Sequence, residues 1–333
     1  MIRTGNPFAG SELDRIKIFL KQADLEYDEN IEYSVYIEDE SGSIMGTGSL
    51  EGNVLKCIAV RPEYQGGGVA ATILSELMQY EFNCGRNHIM LYTKPDNFEL
   101  FSSMGFYKIW QTQEVLLMEN RKDGLTLYRE KLLRETPEEA RQEGISAGVV
   151  VANCNPFTRG HLYLIEHALY QCDFLHLFIL SENRGMFSGK ERMEMVHIGT
   201  EGMERLIIHE TSDYLISAAT FPTYFHKDKI RGRQANCQLD LELFACIIAP
   251  TLHITRRFVG SEPFCSVTAE YNRRMQQILP CHGILVTEIP RIEENGIAIS
   301  ASQVRKCLLT KDYDQIGVIV PEKVCEYLKS IEF

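Results

Sequence analysis

Residues 148–161 limit the possible folds more than any other stretch of this chain. Gly148-Val149-Val150-Val151-Ala152 is a continuous apolar run, the pattern of a strand buried on both faces, and Asn155-Pro156 ends it in a turn. Thr158-Arg159-Gly160-His161 then opens a helix expected over His161 to Cys172. A buried strand that feeds a helix through a short turn builds an α/β layer. The helix start aims its unsatisfied N–H groups and partial positive charge at whatever lies beyond the sheet edge. This arrangement suits a phosphate, and Gly160 omits the side chain that would block its approach.

Apolar strands alternate with amphipathic helices beyond this point. The strands are Gly148 to Ala152, Phe174 to Leu180, Leu206 to His209, Phe258-Val259 and Ile284 to Ile289, with helices after the first and again from Ser188. The alternation predicts a parallel sheet with helices on both faces. Ahead of it, short β-like runs (Glu32 to Ile37, Ile44 to Leu50, Val54 to Val60, His88 to Tyr92) surround one strong helix, Val69 to Tyr80, which reads as a small α+β domain. Between the two lies a charged stretch, Arg121 to Gly144, in which Thr136-Pro137-Glu138-Glu139 has the composition of a helix start. The expected domains are therefore 1–125, a helical linker over 126–145, and 146–333.

A chain of 333 residues has room for two such cores. Its formal charge of -12 argues against non-specific binding to nucleic acid or to an anionic membrane. No apolar run is long enough to span a bilayer, and the first residues, with Asp14, Lys17, Lys21 and Asp24, are no signal peptide. Its ten cysteines are scattered without a C-x-x-C pair, which reads as reduced thiols in a cytoplasmic protein.

Thr158 and His161 place a hydroxyl and an imidazole at one helix start, where they would grip an α-phosphate. Taken alone, His161 reads sooner as a helix-cap or core histidine. A second motif, Ile299-Ser300-Ala301-Ser302-Gln303-Val304-Arg305, changes the balance. Ser300 can cap a helix there, with Ser302 and Arg305 on its first turn as a second phosphate clamp. Together the motifs resemble the nucleotidyltransferase superfamily, with its H/T-x-G-H and I-S-x-[ST]-x-[VI]-R, and they imply a Rossmann-like, cytidylyltransferase-like domain. Lys190 is a candidate for a further phosphate charge, although Ser188 with Glu191 is also a plain capping box. Val259-Gly260-Ser261-Glu262 either lines an adenine pocket or forms an ordinary turn. No set of metal-ligating side chains stands out, and Mg²⁺ is expected to arrive with ATP.

In the first domain Val60, Pro62, Gln65, Gly68 and Ala70 fit V-x-P-x-x-[QR]-x-x-G-x-[GA], and Leu100-Phe101-Ser102-Ser103-Met104-Gly105-Phe106 is similar to L-Y-x-x-x-G-F. Both resemble the GNAT acetyltransferases. The backbone of Gln65, Gly66, Gly67 and Gly68 would cradle a pyrophosphate ahead of Ala70. Many GNAT enzymes carry a proton-donating tyrosine where this chain has Phe101, so acetyl transfer from CoA is not expected.

A GNAT-like domain ahead of a T-x-G-H domain resembles the [citrate (pro-3S)-lyase] ligase family across nearly the whole chain. Asn153-x-Asn155-Pro156-Phe157-Thr158-x-Gly160-His161 and Ala219 to Phe225 carry that likeness most closely. The resemblance implies that Asn155, Pro156, Phe157, Gly160, Gly260, Ser300 and Ser302 bind ATP while Thr158, His161, Lys190 and Arg305 act on it. It further implies acetate as a substrate, and as partner the lyase's acyl carrier subunit, whose CoA-derived arm would rest on the Gln65 to Ala70 loop. The alternative is a small-molecule adenylyltransferase of the nicotinamide-mononucleotide or phosphopantetheine type; a non-enzymatic sensor is a third reading. Lys227, Lys229, Arg231 and Arg233 form a basic cluster that is either a carrier contact or solvated surface.

Overall fold

The computed structural model describes residues 1–28, 30–182, 185–217, 220, 233–263, 265–294 and 297–331, with backbone only at 233–236, 294, 297 and 298. Two compact units divide the chain, Met1–Gly124 and Leu125–Phe333. Among the described residues no helix is long and apolar enough to cross a membrane.

The first unit runs β1 (Ile2–Gly5), α1 (Gly10–Gln22), β2 (Tyr33–Glu38), β3 (Ile44–Glu51), β4 (Val54–Val60), α2 (Val69–Asn83), β5 (Met90–Thr93), α3 (Phe98–Ser103), β6 (Tyr107–Gln111) and β7 (Leu116–Glu119). Its sheet has the order β1-β2-β3-β4-β5-β7-β6. Helix α2 buries Val69, Ile73, Leu74 and Leu77 at helical spacing. Gly48 lets it sit close to β3, because a Cβ there would lie 2.6 Å from Ile73 Cγ2. The parallel pair β4–β5 registers only Val54 with Met90 and Leu55 with Leu91, so the two strands part along the rest of β4. Between β4 and α2 the chain makes a 3₁₀ turn, Pro62–Tyr64, then passes through Gly66 at φ 79° and Gly68 at φ 81°.

The second unit begins with α4 (Gly124–Glu135). Thr136-Pro137 opens only a 3₁₀ turn, Glu138–Arg141. The helix of this stretch precedes the proline, where Tyr128 and Leu132 are buried and Tyr128 Oη donates to the Glu210 carbonyl at 2.8 Å. There follow β8 (Ala147–Ala152), α5 (Arg159–Leu169), β9 (Phe174–Ile179), α6 (Gly189–Gly199), β10 (Leu206–Glu210), α7 (Arg233–Leu243), a π-helical turn at Phe244–Ile248, α8 (Ala249–Thr251), β11 (Ile254–Gly260), α9 (Ser266–Ile278) and β12 (Leu285–Ile289). A short ribbon, β13 (Glu293–Glu294) and β14 (Ile297–Ala298), leads into α10 (Ala301–Leu309), α11 (Tyr313–Ile319) and α12 (Glu322–Ser330).

Its five-stranded sheet has the order β10-β9-β8-β11-β12, and every pair is parallel, as the alternating pattern predicted. Phe258 packs with residues of α5, α6 and α10–α12, while its neighbour Arg257, on the opposite face of the strand, lies against Phe244. The strand order reverses between β8 and β11. Crevices beyond the carboxyl ends of strands at such a switch point are where open α/β sheets bind ligands.

Candidate active site

A cleft of about 270 Å³ opens at this switch point. Its walls are the ends of β8 and β11, the start of α5, Arg291 and Ile292 after β12, and Ile299 and Ser300 ahead of α10.

The first motif builds one wall. Thr158 is the N-cap of α5, and its side chain accepts from the His161 N–H while His161 Nδ1 accepts the Thr158 N–H at 3.0 Å. Thr158 Oγ1 also lies 2.9 Å from Nδ1. With Nδ1 occupied as an acceptor, the proton of the neutral ring sits on Nε2. Burial, assisted by the nearby Arg291 charge, lowers the His161 pKa from 6.5 to about 4. His161 is therefore an uncharged N–H donor at neutral pH, and the buried Thr158 fixes its tautomer. Phe157 stacks on the imidazole at 5.7 Å between centroids.

Asn155, Pro156 and Phe157 are buried and do not line the cleft; they support the loop from beneath. The Asn155–Pro156 peptide is cis. Gly160 does line the cleft, and a Cβ there would lie 3.5 Å from Ile299 Cγ2, so this glycine accommodates the second motif. Gly260, at the end of β11, faces open space in the cleft.

Ser300 caps α10 in a capping box with Gln303 and lies 3.0 Å from Ser302 Oγ. Ser302 is exposed and does not line the cleft. Arg305 is half-buried and donates to the Asn155 carbonyl, which ties the second motif to the loop of the first. Lys190 stands apart. It is exposed on α6, in a separate cavity with Ser181, Ser188, His197 and Glu210. The Gln65 to Gly68 loop is exposed in the first unit, and no atom lies within 4 Å of a Cβ built on Gly66 or Gly68. Phe101 is a core side chain set edge-on to Phe106. Of Ala219 to Phe225 only Thr220 is described; it is buried, with its Oγ1 accepting the Ser217 N–H. Lys227, Lys229 and Arg231 lie outside the described residues, as does the side chain of Arg233.

Three arginines escape the sequence reading. Arg192 is fully buried, with Nη1 donating to the Asn153 carbonyl at 3.1 Å and Nη2 to the Glu182 carbonyl, so it joins the loops after β8 and β9. Arg291 donates from Nε to the Ser261 carbonyl at 2.6 Å and pairs with Glu262, bracing the turn after β11. Arg257 is 1% exposed in β11, yet it lines the cleft. None leaves a clear sequence signal: Arg257 follows Arg256 and precedes the apolar Phe258-Val259, where it reads as the solvated end of a strand.

The family model for the citrate lyase ligase C-terminal domain matches residues 147–328, and that for the GNAT acetyltransferase family matches residues 8–108. The chain is 42% identical over 324 residues to the "[Citrate [pro-3S]-lyase] ligase" of Haemophilus influenzae, covering 96% of this chain and 95% of that one. It is 39% identical to the Klebsiella pneumoniae protein of that name, over 96% and 93% of the two chains. The Escherichia coli protein of that name is 36% identical, over 96% and 91%. Among solved structures, the ribosomal-protein-S18-alanine N-acetyltransferase from Escherichia coli overlaps 36% of this chain and 92% of its own, at 16% identity and a TM-score of 0.30. The relatives span nearly the whole length of both chains at well over 30% identity. The chain belongs to the [citrate [pro-3S]-lyase] ligase family, and it is a ligase.

Proposed function

We propose that the protein uses ATP and acetate to acetylate the thiol of a CoA-derived group on the acyl carrier subunit of citrate lyase, releasing AMP and pyrophosphate. The observation that carries this reading is His161, a neutral donor fixed by Thr158 at a helix start in the cleft that Ser300 also lines.

In the first step a carboxylate oxygen of acetate attacks the α-phosphorus. The bond to the bridging oxygen breaks, and pyrophosphate departs with the electron pair. Charge builds on the non-bridging α-oxygens, where the Nε2 proton of His161 and the free amides of α5 can stabilise it. The N-terminus of α10, with Ser300, Ser302 and Arg305, is suited to the β- and γ-phosphates. In the second step the carrier thiolate attacks the acetyl carbon of the mixed anhydride and AMP leaves. Mg²⁺ would neutralise triphosphate charge. Among the described residues no three His, Cys, Asp or Glu side chains gather as a metal site, so the ion would be held by ATP and water, an arrangement usual for Mg²⁺. The glycine loop ahead of α2 offers exposed amides for the pyrophosphate of the carrier's arm.

Incubation of the deacetylated carrier subunit with this protein, ATP, Mg²⁺ and acetate should add one acetyl mass to its prosthetic thiol. Pyrophosphate release that needs a phosphorylated small molecule rather than acetate would point instead to an adenylyltransferase.

A further inference from the structure

Arg257 occupies an unusual position. The side chain is almost wholly inside the protein, and its Nε and Nη1 make no hydrogen bond. Tyr271 and the buried Asp240 face it, but among the described residues no carboxylate reaches ion-pairing distance: Asp240 has Oδ1 taken by the Ile216 N–H and Oδ2 by Tyr271 Oη, each at 2.6 Å, which leaves Nε and Nη1 without an acceptor. The guanidinium lies over the Phe244 ring at 4.7 Å. Buried polar groups are nearly always paired, and a guanidinium with unused donors at a ligand cleft calls for an anion.

The surroundings narrow the anion to a small one with an apolar tail. Arg257 lines the same cleft as His161, and beside it stand Ile216, Tyr271 and Met275, all buried. Ile216 has φ 46°, a left-handed conformation that a β-branched residue rarely adopts. Such strain persists where the surroundings impose it, and it concentrates at ligand sites. Here the bond from the Ile216 N–H to Asp240 holds the side chain in the cleft wall.

We propose that Arg257 receives the carboxylate of the acid being activated, and that Ile216 and Met275 close around its short alkyl group. The proposal rests on the reading of acid activation at His161. One carboxylate oxygen accepts from Arg257 while the other remains free to attack the α-phosphorus. The apolar wall then sets the chain length, since each further methylene must displace packed side chains.

The test is acetate-dependent exchange of pyrophosphate into ATP by the full-length protein. Arg257→Met should raise the KM for acetate about tenfold or more while leaving that for ATP within about twofold. Ile216→Ala removes the β-branch that the left-handed backbone disfavours and opens the wall, and it should raise kcat/KM for propionate relative to acetate by about fivefold or more. Line broadening of [¹³C]acetate reads binding without turnover and should be present in the wild type and lost in Arg257→Met. An unchanged acetate KM in Arg257→Met, equal losses for acetate and ATP, or no acetate broadening in the wild type would each overturn the proposal. If Arg257→Met does not fold, an unchanged acid preference in Ile216→Ala overturns it. A wild type that broadens acetate but exchanges no pyrophosphate would overturn the reading of acid activation and leave the carboxylate site standing.

Discussion

At His161 the protein has settled a proton's position before any substrate arrives. Thr158 occupies Nδ1, burial keeps the ring neutral, and Nε2–H is left as the donor. His161→Ala should slow acetate-dependent pyrophosphate exchange by roughly a hundredfold or more, the cost of one well-placed transition-state donor at ~3 kcal/mol, with a smaller effect on ATP affinity measured by calorimetry. Thr158→Val should cost about 1 kcal/mol of stability through the lost hydroxyl cap, but it keeps the backbone N–H that holds Nδ1, so a modest loss in thermal midpoint with a much smaller loss of turnover than in His161→Ala is expected. Arg305 acts on two structures at once, because it already holds the Asn155 carbonyl. Arg305→Ala should weaken both ATP binding and turnover. Arg305→Lys should restore neither fully, since an ammonium cannot bond that carbonyl and grip a phosphate with one planar fork.

At the scale of elements, what was legible in the sequence was what local physics decides. The apolar runs of β8 and β9 and the capping boxes Thr158–His161 and Ser188–Glu191 speak for themselves. Helix α1 went unread because Ala9 at its N-cap makes no side-chain bond and so leaves no start signal. Thr136-Pro137 resembles a helix start, yet the helix here is α4, which ends at Glu135, and the proline opens only a 3₁₀ turn. Within the site, Thr158, His161, Gly160, Gly260 and Ser300 meet at one cleft, whereas Arg192, Arg257 and Arg291 were invisible, because a lone arginine reads as surface until packing shows it is buried. The glycine loop of the first unit needs a test that respects its backbone. Gly68→Val would strain the left-handed N-cap of α2 whatever the loop binds. Gly68→Asn tolerates that conformation and still adds bulk. It should slow acetylation of the carrier thiol severalfold, seen by mass spectrometry, while leaving pyrophosphate exchange nearly intact.

The molecule as a whole should be acid-sensitive. His176, on β9, is fully buried, with Nδ1 2.9 Å from His209 Nε2, and His209 Nδ1 in turn lies 2.6 Å from Glu135. Burial, and to a lesser extent His209, lower the His176 pKa from 6.5 to about 3. The unfolded chain therefore binds a proton near pH 6.5 that the native state refuses until about pH 3. The stabilisation from the neutral ring is complete above 6.5 and is lost as pH falls through that window, at about 1.4 kcal/mol per pH unit. Urea unfolding between pH 7 and pH 4.5 should show this slope, and His176→Gln should reduce it by about one proton. The strand order has a consequence for synthesis. The first motif lies on the first strand of its sheet, yet Arg305, which secures it, is 150 residues further along the chain from Asn155. At ribosomal speeds of about 5–20 residues per second, roughly 8–30 s separate the emergence of the two. Through that interval a nascent chain carries His161 without Arg305, so the loop of the first motif gains its tie to α10 only after nearly the whole second unit has been made.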